Sequence, residues 1–218
     1  MPCKTLKRTA ITAISVLMTV SAPAIAQTAN HATSSVENHK GHAHEPVLVN
    51  EADVQARELS DWEADWQSVY PFLQDGTLDA VLAHKAEDAE RTVEEFRAYY
   101  DAGYATDVGR ILIDGSKVTF FRDGLPVQGL YENDGYEILT YESGSQGVRY
   151  IFEKSGGDAT APQFIQFSDH ITVPAKAEHF HLYWGDDRAE LLKEVTNWPT
   201  YFPANMTGAE IAANMLAH

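Results

Sequence analysis

The sequence predicts an antiparallel β-barrel or sandwich, mainly β with flanking helices. Three observations carry this. From residue 107 onward apolar residues recur at every second position, the period of a half-buried strand. Glycine-containing turns, at Asp114-Gly115, Asp134-Gly135, residues 143–147 and residues 155–158, separate most of these runs. Helical periodicity is confined to the segments before and after this stretch. Seven or so short strands joined by close turns favour a barrel or a two-sheet sandwich.

Residues 1–26 have the layout of a secretory signal. Lys4, Lys7 and Arg8 begin it, Ile11 to Val20 is a short apolar run, and Ala24-Ile25-Ala26 fits a small-x-small cleavage site. The apolar run falls short of the ~20 residues needed to cross a bilayer, so export without membrane insertion is expected. The sole cysteine, Cys3, lies in this segment, which leaves the exported chain with no disulfide and no thiolate ligand. Residues 27–50 hold few large apolar side chains and are expected to form a flexible tail. Its distinguishing content is His31, His39, His42 and His44.

The domain itself is expected to span residues 51–218. Ser60-Asp61-Trp62-Glu63 has the spacing of a helix-initiating capping box, and Trp62, Trp66, Val69 and Tyr70 would form the apolar stripe of a first helix. A second helix is expected over 79–100, where Leu82, Ala86, Ala89, Val93, Phe96 and Tyr100 recur at helical spacing and Gly103 offers a stop. Strands are expected at 110–113, 118–121, 127–131, 136–141, 148–153, 163–173 and 179–184. Two short helices close the chain. One is lined by Ala189, Leu192 and Val195, and the other opens with the capping box Thr207-Gly208-Ala209-Glu210 and a staple of Met206 on Ile211.

Charge narrows the function. The chain carries 16 Lys and Arg against 32 Asp and Glu, a net charge of −16. Residues 1–26 hold three of the basic and none of the acidic residues, so their removal takes the balance to −19. Such a surface repels nucleic acid and anionic lipid and draws cations toward it.

The chemistry concentrates in His170, His179 and His181. His179 and His181, two apart, point to one face of a strand, and Pro174 suggests a turn that folds His170 back beside them. For His170 to share that face, paired residue numbers across the two strands must sum to 349 or 351, with Asp169 and Phe180 pointing away. The shared face is expected to be the inner one. Three neutral imidazoles with a fourth position open suit zinc, and also nickel, copper or cobalt. Because imidazole must be neutral to ligate, zinc affinity is expected to fall as pH drops through about 6.5. The tail histidines His39, His42 and His44 are candidate auxiliary ligands, tethered near the site. A three-histidine open site is also compatible with a zinc hydrolase or hydratase, and a barrel with a small organic ligand.

Residues 59–71, 135–141, 147–150, 166–170, 179–181 and 197–201 together resemble the ZinT (YodA) family of periplasmic zinc-binding proteins, in the same order and over about residues 51–218. The resemblance implies a lipocalin/calycin-like antiparallel β-barrel with flanking helices. It implies zinc held by His170, His179 and His181 near the barrel mouth, with binding of cadmium and other divalent ions as well. It further implies a non-enzymatic, periplasmic role: zinc scavenging under limitation and delivery to the solute-binding protein of a zinc ABC transporter. The two barrel cysteines of well-known relatives would fall near Gln128-Gly129 and Lys154, and this chain has neither.

Overall fold

The computed structural model describes residues 46–87, 89 and 91–217. The expected signal segment and His31, His39, His42 and His44 lie outside the described residues. Eight antiparallel strands close into a barrel in sequence order: β1 (Ala64–Ser68), β2 (Val108–Asp114), β3 (Lys117–Arg122), β4 (Leu125–Thr140), β5 (Gln146–Gly157), β6 (Phe164–Ser168), β7 (Phe180–Gly185) and β8 (Thr200–Pro203). This is the mainly-β, lipocalin-like barrel with flanking helices that the sequence leads one to expect.

Every sequential connection is a hairpin or short excursion except two. Between β1 and β2 run α1 (Tyr70–Gln74), α2 (Asp79–Glu87) and α3 (Val93–Tyr104). Between β7 and β8 lies the short α4 (Arg188–Leu191), and α5 (Gly208–Leu216) follows β8. The barrel closes through β8, the shortest strand, with three pairs to β1 and two to β7.

The barrel interior is filled by side chains, as a small eight-stranded barrel permits. Trp62 stacks on Phe167 at 4.6 Å, Trp66 meets Phe180 edge-on at 4.7 Å, and Phe180 stacks on Tyr201 at 5.6 Å. Ile111, Phe120, Phe152, Ile165 and Leu182 complete this core. A second apolar cluster lies outside the barrel wall. There Val69, Leu73, Leu78, Val81, Leu82, Tyr104 and Ile211 pack the helices against Phe202 of β8.

Several local expectations are overturned. Residues 59–62 form a single 3-10 turn, and the chain then enters β1, not a helix. Trp62 and Trp66 are four apart, a spacing that serves one face of a helix and one face of a strand alike. Pro71 stands in the first turn of α1, where its missing N–H costs nothing. The expected 79–100 helix is two helices, because Thr92 and Glu95 form a reciprocal capping box that starts α3 afresh. Gly103 lies inside α3, and its role is close approach: a Cβ there would sit 2.4 Å from the Trp198 ring. The strands expected at 127–131 and 136–141 are one bulged strand, β4, with Gly135 at φ 86°. The expected helix over 189–195 shrinks to four residues, and β8 was not foreseen. At α5, Thr207 and Glu210 make the expected capping box, and Met206 packs on the cluster that holds Ile211.

Candidate metal centre

The site is built on β6, β7, β8 and the loop between the first two. The β6–β7 ladder runs from Phe164↔Gly185 to Ser168↔His181, so every pair sums to 349. That register puts His181 beside Ser168. Two residues past the ladder it brings His170, at the bend after β6, next to His179, and the two imidazoles stand 5.5 Å apart, ring centre to ring centre. Asp169 and Phe180 point the other way. Phe180 is in the barrel core, and Asp169 accepts two hydrogen bonds from Nη1 of Arg57 at 2.8 Å.

The shared face is the outer one, which corrects the expected inward orientation. Phe180, Leu182 and Trp184 belong to the interior, so His181 and Tyr183 alternate to the outside. His179 lies nearly parallel to the Phe202 ring at 5.1 Å, and Phe202 is part of the helical layer. The outer wall here is not open surface. His170, His179 and His181 share a cleft with Tyr99, Tyr100 and Tyr104 of α3 and with Trp198. On the other side, His170 and His181 line a cavity of about 740 Å³ with Val47–Asn50, Arg149, Ser168, Tyr183 and Glu194.

The loop of residues 169–179, expected to be strand with a turn at Pro174, is irregular but closely tied. Arg57, 1% exposed, is its anchor. Its guanidinium pairs with Asp61 and Asp169, donates to the carbonyls of Ile171 and Ala175, and lies 4.0 Å over the Trp62 ring. Backbone bonds from Gln55 to Thr172 and from Ala177 to Asp61 complete the attachment. Buried charge is tolerated here because it is paired and hydrogen-bonded on all sides.

His181 has its tautomer set by β8. Thr200 Oγ1 donates its only proton to the carbonyl of Trp198 at 3.0 Å. At 2.8 Å from His181 Nδ1 it can therefore act only as an acceptor, which puts the ring proton on Nδ1 and the lone pair on Nε2. Enclosure by protein, then the neighbouring His179, His170 and Arg149, pushes the His181 pKa down to about 3. The imidazole is thus neutral, with one nitrogen directed for ligation. Thr200 acts in the manner of a carbonyl or carboxylate behind a metal-bound histidine.

As they stand, no three His, Cys, Asp or Glu side chains among the described residues converge tightly enough to hold an ion. Closing the trio requires rotation, and His170, exposed at its bend, has room to turn. The auxiliary His39, His42 and His44 are not among the described residues, but residues 46–50 are. Val47 and Val49 hydrogen-bond to Ser145 and Gln146 at the β4–β5 turn, along the cavity rim. Thr200, Phe202 and Arg149 were missed from sequence. Thr200 and Phe202 fall in the unforeseen β8. No described helix is long and apolar enough to cross a membrane.

A family model described as ZinT (YodA) periplasmic lipocalin-like zinc-recruitment matches residues 41–218. The chain is 57% identical over 168 residues to the probable metal-binding protein YrpE of Bacillus subtilis, covering 77% of this chain and 67% of that one. It is 43% identical over 200 residues to the zinc-binding lipoprotein AdcA of Streptococcus pneumoniae, covering 89% of this chain and 40% of AdcA. The crystal structure of the Zn(II)-bound ZinT-like domain of that AdcA matches with a TM-score of 0.74 and 45% identity, over 77% of this chain and 94% of the domain. Zn(II)-bound AdcA itself matches with a TM-score of 0.75 and 46% identity, over 78% of this chain and 37% of AdcA. The chain therefore spans well under half the length of the AdcA proteins it resembles.

Proposed function

The chain belongs to the ZinT (YodA) family of periplasmic, lipocalin-like zinc-recruitment domains, and on that premise we propose that it binds zinc through His170, His179 and His181 and passes it on as cargo. The observation that carries this reading is the outward row of histidines. The pairing register puts all three on one face, and Thr200 leaves His181 Nε2 available as a neutral donor. Neutral imidazole nitrogen without thiolate suits zinc, bound firmly yet exchangeably. The Zn(II)-bound relatives support the choice of metal. Cadmium, nickel, copper and cobalt are competitors that the same donors would accept.

Delivery is to the solute-binding protein of a zinc ABC transporter, in the periplasm, and not to a chemical step. A cleft on the outer wall, roofed by a helix, can hand metal to a docking protein, whereas the barrel interior is filled by aromatic rings. Val47–Asn50 border the cavity shared with His170 and His181. His44 precedes Pro46 by two residues, at most about 7 Å of chain. This supports His39, His42 and His44 as capture ligands that bring metal to the rim.

The test is zinc affinity by chelator competition. A single outer partner of a metal ligand is worth 10–100-fold, so His179→Ala is expected to lose more than about 100-fold. Full-strength binding by that variant would reject the assignment. Mixing the zinc-loaded protein with the metal-free solute-binding protein should transfer metal faster than spontaneous release. Carbon dioxide hydration or ester hydrolysis above the level of free zinc would favour an enzyme instead.

A further inference from the structure

Arg149 is a buried charge beside the histidines. It is 2% exposed, and its Nε and Nη1 are buried without a hydrogen-bond partner among the described residues. Its guanidinium carbon lies 3.3 Å from the centre of the Tyr183 ring. A cation taken from water is normally paired, because the lost hydration is otherwise uncompensated. The carboxylate placed to pair with it is Glu137, directly opposite on β4. Arg188 holds that carboxylate instead, donating from Nη2 at 3.1 Å while its Nε engages Asp134. The other carboxylates lining the cavity are also committed: Asp169 to Arg57, Glu194 to the Glu142 amide, and Asp53 to Asn50.

The register aligns this unpaired cation with the metal ligands. One step past Tyr150↔Phe167, Arg149 falls beside Ser168, and Ser168 pairs with His181. The three form one row across adjacent strands on the outer wall, Arg149 standing two strands, about 10 Å, from His181 along the sheet. All three line the same cavity. A carboxylate held by the guanidinium in that cavity would keep a lone pair on one oxygen for a metal at the histidines.

We propose that Arg149 is the anchor of an oxyanion subsite beside His170 and His181, so that the protein takes its metal together with a carboxylate-type anion that fills the open coordination position. This rests on the zinc reading for the metal half, whereas the anion half stands on Arg149 alone. Carboxylate is the favoured class because a planar guanidinium grips two oxygens in a fork. It comes from solution, as acetate or bicarbonate.

Chelator competition at neutral pH and constant ionic strength, in chloride alone and with added acetate or bicarbonate, tests it. Charge-assisted hydrogen bonds of this kind predict at least about ten-fold tighter zinc binding by wild type when the carboxylate is present. Arg149→Gln should lose that gain. In chloride alone it should bind zinc at least as tightly as wild type, since a nearby positive charge no longer opposes the metal; weaker binding there would mean a merely structural arginine. Arg149→Lys keeps the charge without the fork and should show a reduced gain, which serves if the glutamine variant fails to fold. A wild type indifferent to these anions, or an undiminished gain in Arg149→Gln, overturns the proposal. Thermal unfolding of metal-free protein reads the anion half separately: acetate should raise the midpoint of wild type but not of Arg149→Gln, whether or not zinc binds.

Discussion

At the scale of single residues, the site depends on which nitrogen carries a proton. By accepting from Nδ1, Thr200 leaves Nε2 of His181 as the nitrogen with a free lone pair. Thr200→Val removes the acceptor while keeping the side-chain shape. It is expected to weaken zinc binding about 10–100-fold, with Thr200→Ser close to wild type. Equal affinity for all three forms would show that the threonine does not orient the ligand. Proton accounting gives a second prediction. His181 has its pKa lowered from 6.5 to about 3, by enclosure first and its charged neighbours second. Above about pH 3 it is already neutral when folded, so it has no proton to give up when metal arrives. The simple expectation that all three imidazoles titrate near 6.5 therefore fails for this one. At about pH 5, zinc binding should release fewer than three protons, measured by calorimetry in buffers of different ionisation heat. Release of three would contradict a pre-neutral His181. The same shift has a stability consequence for the metal-free protein. Between about pH 3 and 6.5 the unfolded chain binds a proton that the folded one does not, so this histidine's contribution is complete above 6.5 and is lost on acidification.

At the scale of elements, the loop of residues 169–179 decides where His170 goes, and Arg57 decides where the loop goes. Arg57→Met would leave the buried Asp169 carboxylate without its cation and free the Ile171 and Ala175 carbonyls. Breaking a buried pair from one side costs about 3–5 kcal/mol. A lowered urea midpoint together with weakened zinc binding is expected, and Arg57→Met with Asp169→Asn should recover part of the stability. No loss in the single variant would refute the anchoring role. This is also the scale at which sequence reading succeeded and failed. The β-hairpins were legible because period-two runs and glycine turns act locally. β1 was not, because Ser60 and Glu63 have capping-box spacing and Trp62 and Trp66 satisfy two periods at once; only pairing with Ile111 and Phe202 decides between them. β8 was hidden by its four-residue length and its bounding Pro199 and Pro203. The histidine register was legible to within two alternatives, since requiring one face leaves sums of 349 or 351, and only the β6–β7 pairing selects 349. Its orientation was misjudged although the signal was there: in Phe180-His181-Leu182-Tyr183-Trp184 the three most apolar side chains alternate with the histidine, and they claim the interior. Arg149 was invisible, because its place beside Ser168 depends on a β5–β6 register that no single segment encodes.

At the scale of the whole molecule, the site occupies the weakest seam of the barrel. Six of the eight strand junctions carry four or more pairs, but β8 closes the cylinder with three to β1 and two to β7. The same short strand supplies Thr200 to His181 and Phe202 to His179, and Phe202 belongs to the helical layer rather than the interior. A metal joining His170, His179 and His181 would therefore cross-link the loop after β6, the start of β7 and, through their contacts, β8. Openings that break this seam must release the ion, and openings elsewhere need not. Zinc at about 100 times its Kd adds about 2.7 kcal/mol to any opening that loses it. Hydrogen exchange should accordingly slow about 100-fold at amides exposed by seam or global opening, such as Leu182, whose amide bonds to Pro199. Amides that exchange by local fraying at the Asp123-Gly124 turn, between β3 and β4, should keep their rates. His179→Ala should abolish the contrast. Uniform protection including that turn, or none at the seam, would mean that the metal sits elsewhere and that barrel closure and cargo are independent.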